Sequence, residues 1–542
     1  MIRREAQIQE ALMRALGELG IEVESSAISV EVPAREEHGD FSSNVALVHA
    51  KTLSIPPRAL AEKLSNAPTL RQSVPFLDHI AIAGPGFLNF YLTPSHLHEL
   101  IGQVISEGEV AFACSDLGAS KRVLVEFVSA NPTGPLHIGN GWWASYGDAL
   151  ARVLRRSGFG VSTEYYVNDT GGQIRTLGAS ILARRAGEAP PEGGYQGEYV
   201  VEQAERYQGS EDVTEAGRWA AKENLAYISS SLDRLGVHFD EWYSQASIEE
   251  SGAVAEVVDR LKSLGGVYER DDALWLESTK FGDNRDRVLR KSNGDFTYLA
   301  GDIAYHYNKL AVRAFDIAID IFGADHHGQV ASLKAAMAAL GIDPDRLEIR
   351  LGQMVSLTEG NEVVKFSKRA GTAIALDWLL DELGAGVTRI LSLSSSIDRA
   401  STIDLEEAKA TSMENPAYYV QYAYARMRSL ERMRVERGIE LREYAAIDMS
   451  GISHPRELRL MREIVSLPEV VANAALERAP HKLVTWLKSV AGAFHGFYHD
   501  CPVLAPGTDT SLVQGRLKLV EGARIAMKVG LDLVGVDAPE EM

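Results

Sequence analysis

Two strand patterns, separated by a glycine-rich turn and a helix pattern, lie between residues 123 and 169. The β-rich run VLVEFVS (123–129) leads into NPTGPLHIGNG (131–141). ASYGDALARVLRRSG (144–158) then has the apolar spacing of a helix, and GVSTEYYVND (160–169) repeats the strand pattern. Strand, turn, helix and strand in this order form a parallel βαβ unit. The sequence therefore predicts an α/β fold with a nucleotide-binding parallel sheet.

Helix and strand patterns also divide the chain into three predicted domains, since its 542 residues exceed the usual length of one domain. Residues 1–110 alternate the two patterns, which predicts a small α+β domain. Residues 111–410 hold the parallel sheet in a Rossmann-like catalytic domain, with an insertion at about 176–290. Residues 411–542 show helix patterns and predict an all-α bundle.

Further strands are predicted on both sides of the βαβ unit. Ile28, Val30 and Val32 have the period of a half-buried strand, and HIAIAGPGFLNFYLT (79–93) has two strand patterns around a Gly-Pro-Gly turn. Strand patterns occur again at residues 296–306 and 315–328.

The charge balance limits how the chain can meet nucleic acid. Lys and Arg number 55 against 75 Asp and Glu, a net charge of −20, which argues against a protein that coats nucleic acid by bulk charge. Residues 411–542 hold 16 basic and 17 acidic side chains, so nearly all of the excess acidity belongs to the first 410 residues. Any nucleic-acid contact is therefore expected to be local.

Cysteine usage and the amino terminus indicate the compartment. Cys114 and Cys501 cannot build a disulfide framework or a zinc finger. The first 20 residues carry Glu5, Glu10 and Glu18 and read as an amphipathic helix rather than a signal peptide. No apolar run reaches the ~18 residues of a membrane span. We expect a cytoplasmic protein without a membrane partner.

The turn at 129–141 offers the groups that a phosphate needs. Its glycines allow close approach of the backbone, the next helix presents its amino terminus, and His137 can donate a hydrogen bond to a phosphate oxygen. The turn is neither GxGxxG nor a Walker loop, and a βα turn with a buried His would read the same way. By itself the turn leaves both interpretations open.

A second element, VVKFSKRAGT (363–372), lies 228 residues after His137, counted to Lys365. Lys365, Lys368 and Arg369 surround Ser367 in a short cationic loop of the kind that neutralises a transferring phosphoryl group. Alone it could be a surface charge run. The pair of elements is more specific than either one.

Together these elements resemble the two signatures of class I aminoacyl-tRNA synthetases, a His-x-Gly-His element and a Lys-Met-Ser-Lys-Ser loop. Further segments narrow the resemblance to the arginyl-tRNA synthetase family, in the family's order and over essentially the whole chain. These segments are GDFSSNVA, IAGPGFLNFYL, VEFVSANPTGPLHIGN, YYVNDTGGQI, FTYLAGDIAYH, GADHHGQV, KFSKRAG, NPAYYVQYAYAR and FHGFYHDCPVL.

The chain departs from the two signatures at two positions. Asn140 replaces the final His of the first signature; it can donate a hydrogen bond but cannot become a cation. Phe366 replaces the usual Met of the second, a change of apolar packing from which we expect little consequence.

The resemblance implies an arginine–tRNA ligase. The arginine carboxylate attacks the α-phosphorus of ATP, pyrophosphate leaves, and arginine passes from the adenylate to the 3′ end of its tRNA. Mg²⁺ travels with ATP, held mainly by phosphates and water. The resemblance implies no permanent cofactor, no protein metal site and a monomer. The catalytic residues that it implies are His137, Asn140, Lys365 and Lys368.

Each substrate has an implied set of contacts. Tyr298 and Asp302, four residues apart on a helical turn, would hold the guanidinium, and Asn131 the α-amino group. The ATP-binding set is Pro132, Thr133, Gly134, His137, Gly139, Asn140, Asp325, His326, Ser367 and Lys368. The arginine-binding set is Glu126, Asn131, Tyr298, Asp302 and Gln329. The set for the tRNA of arginine isoacceptors is Tyr419, Tyr422 and Arg426.

Three other interpretations stay open at this point. Asn140 would suit a degenerate paralogue that binds tRNA or a nucleotide without ligating arginine. A nucleotidyltransferase of the same superfamily could act on a small molecule. GADHHG (323–328) could hold a metal in a phosphoesterase, although such a site needs further Asp ligands on early strand ends.

Overall fold

The computed structural model describes residues 4–33, 38–359, 362–363 and 375–542. The amino-terminal elements are α1 (Arg4–Glu18), β1 (Phe41–Ser43), α2 (Val45–His49), α3 (Pro57–Ser65), α4 (Pro68–Ser73), β2 (Leu77–Ala83), β3 (Phe87–Leu92) and α5 (Pro94–Ala111). The central elements are β4 (Arg122–Glu126), α6 (Ile138–Arg156), β5 (Gly160–Val167), α7 (Gly172–Arg185), α8 (Glu198–Arg206), α9 (Val213–Leu235), β6 (Glu241–Ser244), α10 (Gln245–Glu250), α11 (Ala253–Ser263), β7 (Val267–Arg270), β8 (Ala273–Leu276), β9 (Arg287–Arg290), α12 (Tyr298–Tyr307), β10 (Ile317–Gly323), α13 (His327–Ala339), β11 (Leu347–Gly352), β12 (Val355–Glu359), β13 (Glu362–Val363), α14 (Leu376–Ser392), β14 (Ser401–Asp404) and α15 (Leu405–Lys409). The carboxy-terminal helices are α16 (Pro416–Glu436), α17 (Pro455–Val465), α18 (Leu467–Leu476), α19 (His481–Asp500) and α20 (Thr510–Val534).

Within the described residues, a five-stranded parallel sheet has the order β11-β10-β4-β5-β6. Alternate residues of β10 enter different cores: Ile319 and Ile321 pack in the same core as α6, and Ala318 packs with α12 and α13. The sheet is therefore covered on both faces, as parallel sheets require. This architecture, with the domains on either side of it, confirms the predicted fold class.

The amino-terminal domain has an antiparallel sheet in the order β1-β3-β2. β2 and β3 form the hairpin that 79–93 predicts. The strand predicted at Ile28, Val30 and Val32 is wrong, because this segment makes only an isolated bridge between Glu31 and Ser42. Val32 is exposed, so the alternation ends where the strand would have continued.

Residues 296–306, for which a strand was the expectation, form α12 instead. Thr297 caps the helix by accepting the N–H of Ala300 at 3.4 Å. Ala300, Ile303 and Ala304 are buried at helical spacing. The apolar residues of this segment fit the spacing of a strand as well as that of a helix. The Thr297 cap favours the helix.

The segment between β5 and α12 carries two small subdomains. One is helical, with α7 packed on α8 and α9. The other is a three-stranded antiparallel sheet, β7-β8-β9. The helical part returns to the main sheet at β6, so it lies beside the turn that follows β4.

The carboxy-terminal helices α16–α20 form a bundle that packs on the amino-terminal domain. Buried Arg4 is paired with Glu469 at 2.8 Å, and Arg462 with Asp40 at 2.8 Å. Cys501 is buried, as expected for a small apolar side chain. Among the helices that the structure describes, none combines the length and apolar character that a bilayer crossing demands.

Candidate active site

A cavity of about 410 Å³ opens at the carboxyl ends of β4 and β10. The chain runs from β4 to β5 on one side and later returns to β10 on the other, so this edge is the point where the strand order reverses. Open parallel sheets bind their ligands at such a point. Residues from both predicted substrate sets line the cavity: Glu126, Asn131, His137, Asn140, Tyr298, Asp302, His326 and Gln329.

Four carboxylates form a row across the sheet below this cavity. Asp320 of β10 is in register with Glu126 of β4, Glu126 with Glu164 of β5, and Glu164 with Glu241 of β6. Register partners on adjacent strands are close enough to repel one another when they carry like charges. We call this set the acid row. It needs cations to be stable.

Two cations after α12 neutralise the acid row. Lys309 is fully buried; it is bonded to Glu126 and lies 2.7 Å from Asp320. Arg313 is bonded to Glu164 and lies 3.1 Å from Glu241. Burial opposes the charge of Lys309, but the two carboxylates outweigh it and raise its pKa above the ordinary value.

His306 closes the row at its other end. Its Nε2 lies 2.7 Å from Asp320 Oδ2 and its Nδ1 lies 2.6 Å from the carbonyl oxygen of Asp302. Burial would raise the pKa of Asp320, but Lys309 and His306 outweigh it and hold that pKa at about 2. His306 thus connects the carboxylate of Asp320 to the backbone of Asp302.

Asp302 differs from the acid row, because its carboxylate has no ion pair or hydrogen bond with any described side chain. It lies on the cavity wall, one turn of α12 after Tyr298, whose side chain is 74% exposed at the cavity mouth. Burial raises the pKa of Asp302 to about 6, with His306 opposing the shift and Glu126 adding to it. Among the described residues, the cavity thus holds a carboxylate without a direct ion pair, although His306, His326 and Lys309 oppose the rise of its pKa.

The turn after β4 has an unusual backbone. Val128 and Ser129 have φ values of 69° and 36°, in the left-handed region that β-branched residues avoid. This bend returns the Ser129 hydroxyl to Glu126, to which it donates at 2.8 Å, while it accepts the N–H of Tyr166 at 3.0 Å. The bend therefore fixes the second oxygen of Glu126, whose first oxygen binds Lys309.

The first signature forms the amino terminus of α6. His137 Nδ1 accepts the N–H of Asn140 at 3.3 Å, and Asn140 Oδ1 accepts the N–H of His137 at 3.1 Å, a reciprocal capping box. In a neutral ring an accepting Nδ1 leaves the proton on Nε2. Asn140, the departure from the signature, is buried and serves as a helix cap.

The described segment that follows the second signature in sequence lies beside the first signature. Leu376 donates its N–H to the carbonyl of Leu136 at 2.8 Å, and Ala375 bridges to His137. Lys365, Ser367 and Lys368 themselves lie outside the described residues. The flank that follows them is nevertheless held against the His137 turn, although 228 residues separate the two signatures in sequence.

Asn131, His326 and Gln329 also line the cavity, whereas Pro132, Thr133, Gly134 and Gly139 of the predicted ATP-binding set are buried behind its wall. Asn131 donates to Gln173 at 2.8 Å, and His326 lies 3.3 Å from Gln329. The side chain of Asp325 is outside the description. For the metal interpretation of GADHHG, the described residues contain no cluster of three or more His, Cys, Asp and Glu that could hold an ion.

The residues predicted to contact tRNA lie on α16, far along the chain from this cavity. Arg426 lies between the rings of Tyr422 and Tyr498, at 4.7 and 4.5 Å from their centroids. Tyr419 lies 5.0 Å from His495. The other arginines of this segment bond inside the protein: Arg428 with Glu540, Arg432 with the carbonyl of Glu540, Arg434 with that of Ile439, and Arg437 with that of Leu504.

Several residues that build the site were missed from the sequence. Asp320 interrupts the apolar strand IAIDIF, and Lys309 follows an apolar helix, so each is a charged residue in a buried context. That pattern could have identified both. Tyr199 and Asn224 bond the signature turn. They have no such signal, because nothing in the sequence of their helices shows that they pack against this turn.

The chain was compared with known proteins. Three family profiles match it: "Arginyl tRNA synthetase N terminal domain" at residues 6–92, "tRNA synthetases class I (R), catalytic domain" at 208–422, and "DALR anticodon binding domain" at 420–542. An arginine–tRNA ligase of Carboxydothermus hydrogenoformans is 40% identical, over 99% of this chain and 97% of that protein. One from Listeria welshimeri is 40% identical over 99% and 98%. Thermus thermophilus arginyl-tRNA synthetase shares the fold, with a TM-score of 0.81, 23% identity and full coverage of both chains.

Proposed function

Because the chain belongs to the arginyl-tRNA synthetase family, we propose that the cavity at β4 and β10 is where this arginine–tRNA ligase forms arginyl-adenylate. The enzyme activates arginine with ATP and transfers it to the 3′ end of its tRNA. The alternative of a paralogue that binds without ligating is not supported by this relationship.

The unpaired carboxylate of Asp302 is the observation that carries the arginine assignment. Glu126 is already engaged by Lys309 and Ser129, so among the described carboxylates of the cavity Asp302 is the group left to receive a guanidinium, and Tyr298 lines the same cavity. Four acid-row carboxylates face the cations Lys309 and Arg313, and Asp302 adds another negative charge. This surplus suits an amino acid with two cationic groups. Asn131 and Gln329 would hold its α-amino end.

ATP would lie at the amino terminus of α6. His137 and the first backbone N–H groups of the helix would bind the phosphates, with the glycines of the turn allowing close approach. Lys365 and Lys368 would complete the site, and Asp325 and His326 would contact the nucleoside. Preorganised donors of this kind lose roughly 3–4 kcal/mol of transition-state stabilisation when one is deleted.

These positions order the two chemical steps. Asp302 and Tyr298 hold arginine so that a carboxylate oxygen forms a bond to the α-phosphorus, and the bond to pyrophosphate breaks. The ribose hydroxyl at the 3′ end of the tRNA then attacks the acyl carbon, and AMP leaves. Mg²⁺ would accompany ATP on its phosphates.

The remaining assignments concern the whole protein. Residues 1–110 would contact the tRNA, 111–410 would catalyse, and 411–542 would read the anticodon through Tyr419, Tyr422 and Arg426. Arg426 lies between two tyrosine rings and donates to the Tyr422 hydroxyl at 2.5 Å, so it would contact the tRNA through its remaining N–H groups and through the outer faces of the rings. The protein would act as a monomer in the cytoplasm.

The test is a charging assay with ATP, each amino acid and total tRNA. Arginine alone should be transferred, and Lys368→Ala should abolish transfer while tRNA binding survives. Binding of tRNA without any charging would support the degenerate paralogue, and adenylylation of a small molecule without tRNA would support a nucleotidyltransferase. Equal activity of Lys368→Ala and the parent would contradict the role of the second signature.

A further inference from the structure

The helices α8 and α9 hold the signature turn from outside the cavity. Tyr199 of α8 donates its hydroxyl to the carbonyl of Thr133 at 2.6 Å. Asn224 of α9 donates its amide to the carbonyl of Pro132 at 3.0 Å. Two consecutive carbonyls of the turn are therefore bonded to side chains that come 66 and 92 residues later in the chain.

A third side chain orients this contact. Gln203 of α8 donates to Asn224 Oδ1 at 2.8 Å, which leaves the amide N–H₂ of Asn224 facing Pro132. Gln203 and Asn224 are each only 4% exposed and Thr133 3%. In such a buried setting a lost hydrogen bond leaves an unsatisfied polar group. The hydrogen bonds that join Gln203, Asn224 and the carbonyl of Pro132 therefore favour one arrangement.

The contact with Tyr199 also explains Gly134. A Cβ at this position would lie 2.8 Å from the Tyr199 hydroxyl, so only glycine lets the turn approach the helix this closely. The Thr133–Gly134 peptide is trans, and in a trans peptide the N–H points opposite to the C=O. Because Tyr199 binds the carbonyl, the N–H of Gly134 is directed away from α8. It donates to no protein acceptor among the described residues.

We propose that Tyr199 and Asn224 are positioning residues that set the shape of the ATP-binding turn, directing the Gly134 N–H toward the nucleotide phosphates. The proposal rests on the proposed placement of ATP at the amino terminus of α6. It gives the helical insertion a part in nucleotide binding without a side chain in the cavity, since Tyr199 and Asn224 do not line it.

The test measures the KM values for ATP and arginine, and the urea midpoint of unfolding, for Tyr199→Phe and Asn224→Leu. Tyr199→Phe removes one hydroxyl only, and we expect the ATP KM to rise about threefold to tenfold, the effect of one lost hydrogen bond. The arginine KM should stay within about twofold, and the urea midpoint should fall modestly, because the buried Thr133 carbonyl loses its partner. The control is Tyr207→Phe, which removes a hydroxyl from the same insertion at a ring packed against Trp219 and Arg185, and it should leave both KM values unchanged.

Asn224→Leu should raise the ATP KM in the same direction. If Tyr199→Phe leaves the ATP KM at the parent value, or if both KM values rise together with a loss of stability, the positioning role is wrong. His137→Ala separates this result from a failure of the ATP placement. A rise of the ATP KM in His137→Ala without one in Tyr199→Phe rejects only the positioning role, whereas no rise in either rejects the placement.

Discussion

The proposed arginine end of the cavity and its proposed nucleotide end are built by opposite means. At the arginine end, the acid row, Lys309 and His306 form ion pairs within and directly above the sheet, and their geometry follows from strand register. The nucleotide end consists of a backbone turn and a helix amino terminus. A cap hydrogen bond within α6 and single hydrogen bonds from the insertion hold them. The first end is inseparable from the stability of the fold. The second can change while the fold persists.

The largest expected effect is at Lys309, because removal of its charge tests directly whether the fold depends on the ion pairs of the acid row. Lys309→Met leaves Glu126 and Asp320 buried without their cation, and breaking a buried pair this way costs about 3–5 kcal/mol of unfolding free energy. Urea denaturation measures it. The control is Lys334→Met, which removes an exposed pair with Asp345 at 3.5 Å and should cost less than about 1 kcal/mol. Equal midpoints for the two variants would show that the acid row does not depend on Lys309.

Asp302→Asn tests whether the arginine end also selects the substrate. Removing the carboxylate should reduce kcat/KM for arginine by the equivalent of about 2–5 kcal/mol, the usual loss for one partner of a buried charge pair. The KM for ATP should stay close to that of the parent, because the nucleotide end is built separately. Asp259→Asn, at an exposed pair 3.9 Å from Lys262, is the control. An unchanged KM for arginine would remove Asp302 from the pocket.

The pH dependence of the same variant sharpens this point. The pKa of Asp302 is raised from 3.8 to about 6, so the folded state holds the proton more tightly than the unfolded chain. Its contribution to stability is therefore fully present below pH 3.8 and is lost as the pH rises through about 6. Above pH 6, Asp302→Asn should be more stable than the parent by about 1–3 kcal/mol, with no difference near pH 4.

Arginine binding should show the opposite trend with pH. The parent should lose apparent affinity for arginine as the pH falls below about 6, because the protonated carboxyl cannot pair with a guanidinium. Thermal unfolding and arginine titrations at pH 4 to 8 give both curves. If the stabilities of the parent and the variant change with pH in parallel, burial does not raise the pKa of the Asp302 carboxyl.

The smallest expected effect is at Asn140, where the nucleotide end departs from the family signature. Asn140→His removes the Oδ1 cap of the His137 N–H and should lower the unfolding free energy by about 0.5–1 kcal/mol. The KM for ATP should change by less than about threefold, roughly the effect of one weak hydrogen bond. Asn140→Ala should cause the same changes in unfolding free energy and in the KM for ATP. A tenfold gain in ATP affinity with His alone would show that an imidazole at this position matters more than the cap.

Some of the site was predictable because local sequence decides it. The strand–turn–helix order placed His137 at a helix amino terminus, and the spacing of Tyr298 and Asp302 placed them on one turn of a helix. The same segment also gave a wrong expectation of a strand at 296–306, since its apolar run fits both periods and the Thr297 cap is a subtle signal.

The arginine-rich helix α16 shows the limit of composition. Its clustered cations predict RNA contact, and the structure shows Arg428, Arg432, Arg434 and Arg437 bonded within the protein. Arg426 is also bonded locally, to the Tyr422 hydroxyl, but its other ring neighbour Tyr498 comes from α19. Sequence pattern cannot identify partners such as Glu540, Leu504 and Tyr498, because they come from distant parts of the chain.

The βαβ unit, the two signatures and the residue types of both proposed substrate sets can be read from the amino-acid sequence. Packing alone shows which cavity carboxylate has no ion pair among the described residues, since Glu126 is engaged by Lys309 and Ser129 and Asp302 is not. It also decided that the insertion binds the turn through Tyr199 and Asn224. The reason is physical. Helix and turn preferences act over a few residues, whereas pairing of buried charges depends on strand register and packing between segments far apart in sequence.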